Sequence, residues 1–102
     1  MRSKADVAKM REFFLSIWKK RKHRCESCDK WLGNEPLSYM FDHLLEKNKY
    51  PDLAYDENNI CLMCLECHDN KTRGFANEIV TERIKKAKEY YERIKQGEEE
   101  RN

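Results

Sequence analysis

The chain has 102 residues, 39% hydrophobic and 39% charged, with a formal net charge of +2. That length fits one small domain with an extension at either end, and the composition is short of core material for it. No apolar run approaches the length of a membrane span, and so small a net charge excludes binding to nucleic acid by bulk attraction alone.

The charge is unevenly divided. Residues 1–24 hold nine Lys/Arg against two Asp/Glu, residues 25–75 hold five against ten, and residues 76–102 are balanced. Phosphate contacts must therefore come from local clusters. The run KKRKHR at residues 19–24 is the densest, which makes Lys19, Lys20, Arg21 and Lys22 candidate nucleic-acid contacts, with a solvated helix end as the plain alternative. The opening MRSKADVAK lacks the apolar segment of a secretory signal. A cytoplasmic, reducing location is the expectation, and there the five cysteines favour metal thiolates over disulfides.

In chain order, residues 6–22 are predicted helical. Val7, Met10, Phe14, Ile17 and Trp18 recur at three- and four-residue steps, and Ser3 followed by Asp6 marks a start. From Cys25 the texture changes to short apolar runs broken by Gly33, Asn34, Pro36 and Pro51. LSYMF (37–41) and NICLM (59–63) are predicted strands, with the polar stretch EKNKYPDLAYDEN between them long enough to be functional. A short helix is predicted over 67–73, with Gly74 as its stop. From Asn77 a last helix carries a heptad-like stripe of Val80, Ile84, Ala87, Tyr91 and Ile94, which either packs on its own domain or self-associates. The tail GEEERN is expected to fray. The organisation read from this is a basic helix over 1–24, a core over 25–75 and a helix with a tail over 76–102.

Two Cys-x-x-Cys pairs, Cys25 with Cys28 and Cys64 with Cys67, have the spacing of a tetrahedral zinc site. They enclose both predicted strands, so an ion on four thiolates would clamp the open ends of a hairpin and offset the thin core. Such a closed site is structural, and its formal charge would bring the whole molecule near neutrality. Cys61 also pairs with Cys64 at this spacing and competes with Cys67 as a ligand; its strand position suits a small apolar filler better.

Asp42 and His43 lie side by side between apolar neighbours, Asn59 follows the polar loop, and CLECH at residues 64–68 is followed by Lys71. This order resembles the HNH endonuclease family, in particular the branch whose ββα-metal finger is braced by four zinc-binding cysteines. The resemblance spans about residues 25 to 74 and implies a small α+β fold, with the terminal helices outside it. It implies that His43 is the general base acting on water, that Asp42 and His68 hold a catalytic divalent cation, and that Asn59 pins the loop and orients the base. It also implies hydrolysis of a DNA phosphodiester, as an endonuclease or nickase. Many family members have a proline near Glu46 and a glycine-rich loop; this chain has EKNKYPDLAYDE there instead.

The residue chemistry points the same way. Histidine is the side chain whose ordinary pKa suits a base near neutrality. One carboxylate and one imidazole suit Mg²⁺ or Mn²⁺ and also admit Ni²⁺ or Zn²⁺. Read singly, each residue has a plainer explanation: Asp42–His43 as a surface pair, His68 as an alternative zinc ligand, Asn59 as a turn residue that Asn58 could replace. On a regular strand Asp42 and His43 also point to opposite faces, so one shared site needs the strand to end or bulge there. Lys47, Lys49, Lys71 and Arg73 are candidate phosphate contacts, with ordinary surface charge as the alternative. His23 receives no role.

Two other functions fit the same residues. One is a non-catalytic zinc module that binds nucleic acid or a protein. The other is a dimeric nuclease for branched DNA, as in phage recombination endonucleases. The rings of Phe13, Phe14, Trp18, Tyr90 and Tyr91 motivate a homodimer or protein partner held through the terminal helices.

Overall fold

Residues 3–101 are described by a computed structural model of the chain, with side chains through Glu98. Helix α1 runs Lys4–Lys20 and starts on Ser3, whose hydroxyl accepts from the Asp6 N–H at 3.2 Å. It buries Met10, Ile17 and Trp18, the inner edge of the stripe read from sequence. Beyond its end the chain makes a tight knuckle: Arg24 bridges Trp31, and the Cys25 N–H donates to the Lys30 carbonyl at 2.8 Å. Asp29 takes the left-handed conformation there (φ 68°), which a short polar side chain tolerates.

The sheet has two antiparallel strands, β1 (Phe41–His43) and β2 (Ile60–Leu62), with Phe41 opposite Leu62, Asp42 opposite Cys61 and His43 opposite Ile60. The first strand is displaced from its sequence expectation. Residues Ser38–Met40 form a 3-10 turn, and pairing begins only at Phe41. The cause lies in the partner. β2 gives way at Cys64, which turns the chain into a helix, so residues 37–40 have only one further ladder bond available, from Met63 N–H to the Met40 carbonyl at 2.8 Å.

Helix α2 (Leu65–Thr72) ends in a Schellman motif on Gly74 (φ 85°), with Gly74 N–H to Lys71 O at 3.0 Å and Phe75 N–H to Asn70 O at 2.7 Å. Helix α3 (Glu78–Arg101) is capped by Asn77, whose Oδ1 accepts from Val80 N–H at 2.9 Å. It continues through most of the tail expected to fray, whereas Asn102 lies outside the described residues. Among the described residues no helix is long and apolar enough to cross a membrane.

The core lies where the sheet meets α1 and α3. Ile17, Trp18, Phe41, Leu44, Leu53, the whole of β2, Val80 and Ala87 are buried in one cluster. The α3 stripe packs on its own domain, since Ile84, Tyr90, Tyr91 and Ile94 are partly buried against that cluster. The same holds for the other rings expected to meet a partner. Phe14 stacks on Phe41 at 4.5 Å, Tyr91 stands edge-on to Tyr50 at 5.0 Å, and Trp18 stacks on His23 at 3.7 Å. Of the five rings Trp18 is buried and Phe13, Phe14, Tyr90 and Tyr91 are partly buried, so their packing within the chain does not support the partner expectation, and His23 gains a packing role.

Candidate active site

The four cysteines come together. The sulfurs of Cys25, Cys28, Cys64 and Cys67 all lie within 4.8 Å of one another, and those of Cys28 and Cys64 are 3.8 Å apart. Four sulfurs at zinc–thiolate bonding distance of ~2.3 Å from one ion stand about 3.8 Å apart, so the cluster is positioned to form a zinc site. Cys25 and Cys28 come from the knuckle, Cys64 is the N-cap of α2, and Cys67 lies in its first turn. Burial, reinforced by the neighbouring thiols, pushes Cys67 up to about 12. Four thiols this close resist losing their protons together, and a divalent cation at the centre removes that penalty.

Cys61 is excluded from the cluster and is wholly buried. Burial pushes its thiol up to about 12, and its sulfur accepts from Arg83 Nη1 at 3.0 Å. It is a buried core residue, the small filler that its strand position suggested.

A second cluster forms where β1 ends. One open cleft is lined by Asp42 and His43, by Glu46, Lys47 and Asn48 of the following loop, and by His68 and Lys71 of α2. The opposite-face difficulty is met by strand length. His43 is the last residue of β1, and the chain turns away at Leu44, whose N–H donates to the Asn59 carbonyl at 2.8 Å. With α2 along one side of the strand end and the loop along the other, both side chains reach the cleft.

Asp42 is 6% exposed. His68 Nδ1 lies 3.3 Å from its Oδ1, and Lys71 Nζ lies 3.1 Å from its Oδ2. Proximity here does not amount to hydrogen bonding: Asp42 Oδ2 and His68 Nδ1 are buried atoms with no hydrogen-bond partner. Oδ2 has only its ion-pair contact with Lys71, and His68 Nδ1 only its contact with Oδ1, so the carboxylate and the imidazole have lone pairs to spare and fit the coordination shell of a divalent cation.

His43 is oriented from its far side. Its Nε2 lies 2.9 Å from the Ala54 carbonyl oxygen. A carbonyl only accepts, so Nε2 carries the proton and, in the neutral ring, Nδ1 holds the lone pair. Ala54 is placed by Asn59, which is 1% exposed. The Asn59 side chain accepts from Leu45 N–H at 2.8 Å and donates to Leu45 O at 2.9 Å and Leu53 O at 3.3 Å. It thus pins both ends of the loop whose last turn presents Ala54 to the histidine. Asn58 is exposed and cannot substitute.

The expected cationic contacts separate. Lys47 and Lys71 line the cleft, whereas Lys49 and Arg73 stand outside it, Arg73 bonded to Asn70 at 3.0 Å. In the basic run, Lys19 and Lys22 are exposed, Lys20 pairs with Glu57 at 2.6 Å, and none of the four lines the cleft. Arg21 is committed to the fold: it donates to the Ile60 and Glu57 carbonyls, each at 2.7 Å, and meets Glu26 at 3.2 Å. Sequence reading missed the supporting residues Ala54, Glu26, Arg83 and Asn77. Ala54 acts through its backbone and leaves no side-chain signal. The other three act across long stretches of chain, Arg83 to Glu26 at 2.6 Å over 57 positions and Asn77 to Ser27 Oγ at 2.6 Å over 50.

Comparison with known proteins gives one finding. The family model described as HNH endonuclease matches residues 25–74. No curated protein and no solved structure matches the chain.

Proposed function

Because residues 25–74 belong to the HNH endonuclease family, we propose that this protein is a metal-dependent endonuclease or nickase that hydrolyses DNA phosphodiesters. The observation that carries the reading is the pairing of two features in one cleft. The first is a histidine whose proton is committed to a backbone carbonyl; the second is a carboxylate and imidazole with unsatisfied buried atoms.

His43 Nδ1 takes the proton of the attacking water, and the Nε2–H bond to Ala54 becomes stronger as the ring gains charge. Asn59 keeps that carbonyl in place, so the ring need not reorganise during the reaction. Asp42 Oδ and His68 Nδ1 hold the divalent cation, Mg²⁺ or Mn²⁺ by hardness. When bound, the cation stabilises negative charge on the phosphate and on the leaving oxygen. Lys47 and Lys71 line the cleft and supply positive charge for the phosphate backbone. Lys19 and Lys22 offer a more distant contact that carries no sequence information. Zinc on Cys25, Cys28, Cys64 and Cys67 holds the start of α2, and hence His68, against the sheet.

Plasmid incubated with the purified, zinc-loaded chain tests this across Mg²⁺, Mn²⁺, Ni²⁺ and Zn²⁺. Nicked or linear product should appear with Mg²⁺ or Mn²⁺, and His43→Ala should remove it while zinc content and unfolding midpoint stay as they were. Cutting that survives His43→Ala would overturn the assignment. DNA binding without cutting in every metal would return the protein to the class of binding modules.

A further inference from the structure

Asp42 has a second neighbour, Lys71, whose contact with the carboxylate the hydrolytic reading does not use. Lys71 sits one turn after His68, on the same face of α2, and its side chain is 17% exposed. Its Nζ donates to the His43 carbonyl at 3.2 Å and lies 3.1 Å from Asp42 Oδ2. Among the described residues, His68 and Lys71 are the two basic groups within ion-pair distance of Asp42. A carboxylate this buried needs a compensating charge, and the Lys71 side chain at 3.1 Å is placed to supply it.

We propose that Lys71 is the internal counter-ion of Asp42, and that its ammonium moves from the carboxylate to a backbone phosphate when a divalent cation binds. Cation and nucleic acid would then strengthen each other's binding. The inference rests on the reading of Asp42 and His68 as cation ligands and adds to it a coupling between cofactor and substrate. Its physical basis is competition. A dication on Asp42 repels an ammonium held at the same carboxylate, so without DNA Lys71 weakens cation binding. The lysine stem is flexible and opens onto the cleft, where a phosphate offers the displaced charge a new partner. Coupling of this kind is reciprocal in the two affinities.

The test is a Mn²⁺ titration of the zinc-loaded full chain, followed by the paramagnetic resonance signal of free Mn²⁺. Without DNA, Lys71→Met and Lys71→Gln should each bind Mn²⁺ about tenfold more tightly than the parent, and Lys71→Arg should stay near it. The Gln variant keeps a donor for the His43 carbonyl and guards against misfolding of the Met variant. In a His43→Ala background, which cannot cut, an added DNA duplex should tighten Mn²⁺ binding, and Lys71→Gln should remove most of that gain. If Mn²⁺ binding depends on Asp42, shown by its loss in Asp42→Asn, yet is unchanged or weaker in Lys71→Gln, the counter-ion role is overturned and the cation site stands. If Mn²⁺ binding is indifferent to Asp42→Asn, both fall.

Discussion

Asn59 shows how much of the site rests on a single amide. Its side chain makes three hydrogen bonds to the backbone of Leu45 and Leu53 from a fully buried position. Asn59→Ala would strand the Leu45 N–H and carbonyl away from water, leave the Leu53 carbonyl with the Asp56 N–H alone, and release the loop that carries Ala54. A loss of about 2–4 kcal/mol in stability is expected from urea unfolding, with cleavage reduced beyond what the unfolded fraction explains. A shift in midpoint of less than ~1 kcal/mol would mean that the loop is held by other contacts. His43→Ala makes the contrast, since the partly buried ring makes one backbone bond and its removal should spare the midpoint. At this scale Asp42, His43 and His68 were readable as residues of one cleft, because the proposed chemistry restricts side-chain type. The choice of Asn59 over Asn58 was not, since burial decides it and adjacent asparagines look alike in sequence. Lys71 was readable as a charge near the site, but its contact with Asp42 depends on the angle at which α2 meets β1.

The elements are short, and their edges are covered by side chains from outside the sheet. The carbonyls of Ile60 and Leu62 in β2 are taken by Arg21 at 2.7 Å and by the Glu26 N–H at 2.7 Å, and Arg83 approaches Ile60 O at 3.4 Å. Glu26 sits between the two arginines and ties the end of α1, the knuckle and α3 to one strand edge. The basic run at residues 19–24 therefore divides by function. Arg21→Ala should cost about 2 kcal/mol, because the Ile60 and Glu57 carbonyls each lose a charge-assisted bond at 2.7 Å and Glu26 is left with one partner. Lys19→Ala and Lys22→Ala should stay within ~0.5 kcal/mol and be felt, if at all, in the salt dependence of DNA binding. Urea unfolding of the three variants side by side checks this; equal midpoints would show that Arg21 is as dispensable as its neighbours. Helices were the readable elements, because their periodic faces meet the core over many turns. The first strand was misplaced because its limits are set by how far β2 runs before Cys64 turns away, a constraint absent from the apolar run itself.

The molecule as a whole is held together at the knuckle. Four ties converge there: the cysteine cluster, Glu26 N–H to Leu62 O, Arg83 to Glu26, and the α3 cap residue Asn77 to Ser27. Only the first is visible as a sequence pattern, since tetrahedral thiolate binding requires paired cysteines, whereas the others pair ordinary polar residues far apart in the chain. If zinc fixes the knuckle, its loss should loosen β2, the start of α2 with His68, and the first turn of α3 together. Cys67→Ser should abolish stoichiometric zinc and replace a sharp thermal transition with a broad one, its midpoint lower by ~10 °C or more. Cys61→Ser should keep its zinc, because that thiol lies outside the cluster and bonds Arg83 instead, and should lose only packing stability. Metal analysis and calorimetry on the two variants decide the matter. A sharp, unshifted transition in zinc-free Cys67→Ser would place the stability in the apolar core. The site would then need no clamp, and the link from zinc to the position of His68 would break with it.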